Sequence, residues 1–455
     1  MNEEKKLNML QSLVLLLLII GSVAVCIRLK TGGPMIGLFM SWIIIYLFCK
    51  VLKMDYDKVV SGAYDAIRVV VPTLCLLMAI GVMIGTWLQS GTIASIIVGG
   101  LKMINPTWLL PLTLVFCAVL SLVTGTSYGS VGSAGVAMMA IGNAMGINSG
   151  MVAGAVICGA MFGDKLSPLS DTTNLAPAVA GAKLNDHVRS MLWTTLPTFA
   201  ISLVLFTILG ISQTSGGYEE GNLLVYVDAL QGEFKLGIVT LIPAIVIIVL
   251  LLCKVNAIVS LGLSAVCAGA VSWFCQGATL QSIIRVAYNG YSTQIEEAIL
   301  KTILNRGGMS SMLQYVAIIC FAVGMGGMLD RLGVLENILN AITDRIHSDG
   351  SLILASLLVG YVTSLISCSQ PMSHVLTGNM MKPLFKERKI APEILSRTLE
   401  DAGTLSGPMI PWHGYCVYMA GTLGVAWSAF FPLYLTPLFS IFYGFTGISI
   451  KHIEE

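Results

Sequence analysis

The chain has 455 residues, of which 56% are hydrophobic and 11% charged, with a formal net charge of +1. Soluble proteins average about 25% charged residues; a mean hydropathy of +0.85 instead makes lipid the main solvent of the fold. A near-neutral balance without a clustered basic face excludes nucleic acid as a partner, and eleven cysteines scattered from Cys26 to Cys416 with no CxxC pair exclude a disulfide framework or zinc centre.

The N-terminal MNEEKK precedes an apolar run at 10–27. With no A-x-A-like cleavage site after it, this run reads as a retained first transmembrane helix rather than a secretory signal. A bilayer-crossing helix needs about 20 mostly apolar residues. Further candidate spans lie near 35–52, 69–88, 109–123, 131–147, 150–162, 191–211, 236–253, 257–275, 313–329, 352–367, 412–429 and 431–448. Several are short, or rich in Gly and Ser. The expected fold is therefore an all-α polytopic membrane protein of about 10–13 membrane elements, some broken or re-entrant.

The expected organisation is N-terminal membrane helices at 1–68, a first transporter repeat at 69–211, an extracytoplasmic loop at 212–235, scaffold helices at 236–311 and a second repeat at 312–455. Lys382, Lys386, Arg388, Lys389 and Arg397 mark their loop as cytoplasmic, whereas the acidic loop Ser212–Glu233 reads as outside. Four plain spans between them would put both on one side, so one element is expected to be re-entrant or one span misplaced.

Three features recur in order at a spacing of roughly 240 residues, the pattern of a repeat-built transporter. AIGVMIGTWLQSGTI (79–93) resembles AVGMGGMLDRLGVL (322–335). SLVTGTS (121–127) has its counterpart in SLISCSQ (364–370), and LSPLSDTTN (166–174) has a looser one in LSGPMIPWH (405–413).

Ionisable groups at membrane depth cost about 2.5–3.5 kcal/mol each on insertion scales, so each is a functional candidate. In GDKLSPLSDTTN (163–174), Pro168 breaks the helix between Asp164 and Asp171. The break frees carbonyls among Ser167, Ser170, Asp171, Thr172, Thr173 and Asn174, the oxygen ligands a hard cation takes. Asp164 or Asp171 is expected to bind a cation or a proton, and Lys165 either neutralises Asp164 or yields to the cation. The alternative is a water-facing capped loop. Thr124, Thr126 and Ser127 either line a pathway or pack helices. Ser369, Gln370, His374 and Asn379 follow a second expected break at Gln370-Pro371, where His374 is either a proton carrier or a core histidine. Pro408 and Pro411 break a third segment that carries Asp401 and Thr404 before Trp412 and His413. Trp412 is either a substrate wall or an interfacial anchor. Arg306-Gly307-Gly308 predicts a tight helix entry. No GxxxxGK[ST] or HExxH occurs, so the expected energy source is an ion gradient and an enzyme is not expected. An intramembrane hydrolase built on Asp164 and Asp171 is the weakest reading.

These motifs resemble the NhaC family of bacterial Na+/H+ antiporters over nearly the whole chain. The resemblance is carried by TGTS (124–127), GDKLSPLSDTTN (163–174), LNRGGM (304–309), SRTLEDAGT (396–404), PMIPW (408–412) and AGTLGV (420–425). It implies two inverted repeats, alternating access in the bacterial cytoplasmic membrane, and Na+ and H+ as coupled ions with no other cofactor; a homodimer is a further expectation. Asp164, Ser167, Asp171, Thr172 and Thr173 would form one half of the site, and Glu400, Asp401 and Thr404 the other. Two positions depart from the pattern: Asn379, where relatives often carry an acid, and His413, where they commonly carry Asn. They keep open an alternative, a sodium- or proton-coupled carrier of a small carboxylate or amino acid, of the malate/lactate type.

Overall fold

The computed structural model describes residues 6–29, 34–214, 220–337, 348–431, 434, 442 and 450–452. Among them the only β contact is an isolated bridge between Ile390 and His452; everything regular is helix. Seven helices are long and apolar enough to cross a membrane, or up to nine if two bent pairs each count as one span. The shorter apolar helices Met35–Val51 and Thr92–Met103 add to these.

Sequence chemistry sets the element ends. Asn105 accepts from the Thr107 N–H ahead of Pro106, and Asn148 accepts from the Gly150 and Met151 N–H groups, so each caps a helix start. The helix Pro106–Thr124 stops at Gly125, whose φ of 69° is left-handed, and the chain restarts at Ser127. Ser149–Leu166 stops before Pro168, and Asp171–Ala180 leaves at 49° to it. Gly307 and Gly308 both have positive φ and turn the chain into Met309–Arg331. All three expected helix breaks and this tight entry are present.

The repeat is visible in the element ends. Pro106–Thr124 and Asp349–Ser367 are each 19 residues long and start 243 residues apart, from 106 to 349. Both end on a left-handed residue, Gly125 and Cys368, followed by an extended one, Thr126 and Ser369. Ser149–Leu166 and Pro392–Leu399 start at the same spacing. Asp171–Ala180 and Gly414–Leu423 are both 10 residues long and both close on a left-handed glycine, Gly181 and Gly424.

Close backbone contacts lock the halves together. Tyr56–Gln89 lies along Met309–Arg331, with the Gly308 N–H donating to the Gly81 carbonyl at 2.7 Å. Within the first half, a Cβ on Gly159 would meet Leu114 and Cys117, and one on Gly163 would meet the Ala118 carbonyl and Leu122. The second half moves the glycine to the other partner: Gly360 faces the methyl of Ala402. Small residues of this kind let membrane helices approach without a hydrophobic driving force.

Three expectations change, and one lies beyond test. Lys382–Arg397 is not a loop: it is helix to Glu387 and again from Pro392, and Arg397 is buried. The 212–235 connection carries a helix, Glu220–Glu233, whose sequence has no proline to stop it. The 412–429 span shortens to Gly414–Leu423 and Trp427–Phe430, because Gly424 ends the first of these. Nearly all of the 431–448 span lies outside the described residues. Leu280–Asn289 was not foreseen; it is ten residues long with no buried position, too short for a span search.

Candidate ion-binding site

The breaks of the two halves meet around four buried charged side chains. Asp164 lies in the last turn of Ser149–Leu166, and its carboxylate accepts from the Ser127 hydroxyl at 2.6 Å. Ser127 opens the helix that restarts after the Gly125-Thr126 break, so the N–H end of that helix faces the acid, the favourable end for a negative charge. Ser170, on the far side of the Pro168 break, also lies within hydrogen-bond reach of Asp164, and Asp171 within electrostatic reach. Thr173 donates to the Asp164 carbonyl at 3.0 Å and the Lys165 carbonyl at 3.3 Å, which ties the second half-helix back onto the first.

Lys165 does not neutralise Asp164. Its ammonium lies 2.5 Å from Asp401 Oδ1, with both side chains 1% exposed. The pair joins one repeat to the other. The Thr194 hydroxyl, from Leu184–Thr214, donates to the same Asp401 oxygen at 3.3 Å. Asp401 and Glu400 sit on a π-helical turn, Glu400–Thr404, a widened turn that recurs at functional sites. The first half has its own π turn at Val131–Gly135, just after Ser127–Ser130.

Glu400 is fully buried, and neither carboxylate oxygen accepts a well-formed hydrogen bond from the protein. The Thr404 hydroxyl lies beside it, and Lys165, Asp164 and Asp401 are all within electrostatic reach. A buried carboxylate so sparsely hydrogen-bonded is costly unless a cation or a proton compensates it. Thr404 also shares a 3.1 Å hydrogen bond with His374 Nε2, and Gln370 Nε2 donates to the Thr404 carbonyl at 3.0 Å. His374 and Gln370 thus close the second half of the site around the π turn.

Other residues singled out by sequence have backbone duties. Ser167 accepts from the Leu169 N–H and its carbonyl takes the Ser170 N–H. Ser170 and Thr172 share a hydrogen bond of 3.1 Å. The Asn174 amide donates to the Pro168 and Ser170 carbonyls and holds the break in shape. Thr124 donates back to Leu120, and Thr126 caps the Gly129 N–H. Ser369 is the residue before the Gln370–Glu387 helix, and its buried hydroxyl has no partner. Trp412 donates to the Leu365 carbonyl at 3.3 Å. His413 caps the Tyr415 N–H through Nδ1 at 3.0 Å, leaving a buried Nε2 without a partner. Asp171, Asn174 and Asn379 are exposed and lie outside the buried cluster.

Thr194 was missed by sequence reasoning, because it sits in a long apolar helix with no motif around it. The link from Lys165 to Asp401 was missed because it joins residues 236 positions apart. Among the described residues no three His, Cys, Asp or Glu side chains converge as a metal site. The oxygen-rich, largely hydroxyl and carbonyl set around Asp164 suits a weakly held hard cation rather than a resident transition metal.

The pattern of the Na+/H+ antiporter family matches residues 159–448. The chain is 34% identical to a Na(+)/H(+) antiporter NhaC of Alkalihalophilus pseudofirmus, across 98% of this chain and 97% of that one. It is 35% identical to a malate-2H(+)/Na(+)-lactate antiporter of Bacillus subtilis, across 92% and 91%. An arginine/ornithine antiporter of Halobacterium salinarum is 32% identical across 88% of this chain and 84% of its own.

Proposed function

The chain belongs to the Na+/H+ antiporter family, and from that footing we propose that it exchanges Na+ for H+ across the bacterial cytoplasmic membrane by alternating access. The observation that carries this reading is the buried meeting of Asp164 with the Lys165–Asp401 pair at the breaks of two matched half-structures. In the arrangement seen, the Lys165 ammonium answers the Asp401 charge, and the Ser127 hydroxyl answers Asp164. A Na+ ion arriving at Asp164 takes its carboxylate with Ser127, Ser170 and freed carbonyls at the Pro168 break as ligands. Glu400, with only the Thr404 hydroxyl beside it, carries a proton when the cation is away. Electroneutrality in a low-dielectric site makes the two ions alternatives, because two uncompensated charges there cost several kcal/mol. The matched order of elements in the two halves fits an inverted repeat, which exchanges inward and outward openings around a fixed site.

The second reading, coupled exchange of a small carboxylate, is favoured by the buried, unpartnered His413 Nε2, whose ring lies with Cε1 3.4 Å from the Cβ position of Gly407, and by the 35% identity to the malate/lactate antiporter. Purified protein in proteoliposomes separates the two. Na+-driven proton flux with no organic solute present supports Na+/H+ exchange. Flux that starts only on addition of malate or lactate overturns it in favour of the second reading.

A further inference from the structure

The helix Leu184–Thr214 carries a row of hydroxyls that the site uses at one point only. Ser190, Thr194, Thr198 and Ser202 recur every fourth residue on one face and all are buried. Four residues advance an α-helix by about 6 Å, so the four hydroxyls form a column roughly 18 Å long. Thr198 donates to the Thr194 carbonyl at 2.6 Å and Ser202 to the Thr198 carbonyl at 2.8 Å. Such back-bonding is common in membrane helices and by itself says nothing about transport.

Two further observations give the column a direction. Its first hydroxyl, Ser190, is buried without a protein partner and lines a cavity of about 130 Å³ together with Asp186, Arg189, Glu393 and Lys451. This charged cavity lies at the start of the helix, beside the exposed Trp193, where a membrane meets water. Further along, Lys165, Thr195, Thr198 and Ser202 line a second cavity of about 10 Å³, room for roughly one water molecule. The Thr195 hydroxyl there is also buried and unpartnered. Between the two cavities Thr194 touches Asp401. A water needs two to four polar partners to stay in a buried site, and these unpartnered hydroxyls supply them.

We propose that the Ser190–Thr194–Thr198 face is the aqueous access path by which ions and protons reach the Lys165–Asp401 pair. Entry is from the Asp186/Glu393 vestibule, with Thr194 as the positioning residue at its inner end. The path rests on the antiport reading only for the identity of what travels along it. The face bearing Lys382, Lys386, Arg388 and Lys389 leads into the Glu393 helix, which makes this the cytoplasmic opening on the positive-inside rule.

The test uses the full chain in proteoliposomes, with Ser190→Cys, Thr198→Cys and a control, Val204→Cys, on the exposed side of the same helix. Each is treated with a cationic, membrane-impermeant methanethiosulfonate, and labelling is read at that residue by peptide mass spectrometry. The path requires labelling at residue 190 about tenfold faster than at 204, since thiol reactivity follows access to water. Equal rates at 190 and 204 overturn it. Thr194→Val should raise the Na+ concentration for half-maximal flux by about tenfold, with Thr194→Ser restoring it, as expected of a lost hydrogen bond to a charged group. Labelling does not depend on transport, so fast labelling at residue 190 in Ser190→Cys, alongside wild-type protein that moves no protons, overturns the antiport reading alone.

Discussion

The break at 167–170 and the break at 405–413 stand at matched places in the two halves and hold different chemistry. The short helices after them, Asp171–Ala180 and Gly414–Leu423, agree residue for residue in length and closing glycine. The charges do not follow this match. At the 243-residue spacing of the helix starts (106 to 349), Asp164 and Lys165 align with Gly407 and Pro408, while Glu400 and Asp401 align with Ile157 and Cys158. The element order is matched while the ionisable groups are divided, so that one half supplies the acid beside a helix N-terminus and the other the acids on a π turn. On the proposed reading, a symmetric frame rocks between two openings while an asymmetric charge set makes a single site rather than two.

This division ranks the residues. Asp164→Asn should lower Na+-driven proton flux by at least about a hundredfold, the equivalent of roughly 2.8 kcal/mol, because the second half has no acid at the matching place. Unchanged elution and melting of the variant would show that the fold survives. Near-normal flux would move the cation site into the second half. Lys165→Met should destabilise the protein by about 3–5 kcal/mol by removing the ammonium that holds the buried Asp401 carboxylate, leaving it only the Arg397 charge nearby. The double variant Lys165→Met/Asp401→Leu should recover most of that stability in thermal unfolding and still transport nothing. If the double variant melts as low as the single one, the pair is not the contact that joins the halves.

Sequence legibility divides along the same line. Proline, positive-φ glycine and capping asparagine act locally, so the breaks at Gly125, Pro168 and Gln370-Pro371 and the entry at Gly307-Gly308 could all be read from the chain. The repeat was legible because it is a spacing of such local signals. Which acid faces which base was not legible. Lys165 has Asp164 as its neighbour in sequence, yet a helix turns adjacent side chains about 100° apart, and Asp401 lies where Lys165 points. The inward turn of Arg397 and the helix at Glu220–Glu233 were hidden for a related reason: charge density reads as loop until packing and pairing are known.

A second glycine contact in the first half, at Gly163, has no glycine counterpart in the second. Gly163 aligns with Ser406, which donates to Ser364 at 2.7 Å. Gly163→Ser should be poorly tolerated, since its Cβ meets the Ala118 carbonyl and the Leu122 backbone; overpacking of this kind costs typically about 1–3 kcal/mol. Ser406→Ala should cost about 1 kcal/mol, one buried hydrogen bond. Thermal unfolding in detergent measures both, and equal losses would mean that the two helix crossings are not distinguished by this contact.

The smallest effect belongs to Asp171, the acid that most resembles a ligand in the sequence and aligns with Gly414 in the second half. It is exposed and sits in the first turn of its helix, where a carboxylate gains only about 0.3–1 kcal/mol from the helix N-terminus. Asp171 reaches Asp164 through its charge rather than through a contact, and water screens much of that. Asp171→Asn should therefore leave maximal flux within about threefold of wild type, with a modest change in the Na+ concentration for half-maximal flux, consistent with losing under about 1 kcal/mol. Flux assays over a Na+ series would read both numbers. A loss as large as that of Asp164→Asn would place the cation at the turn between the half-helices, with Asp171 swinging inward to hold it.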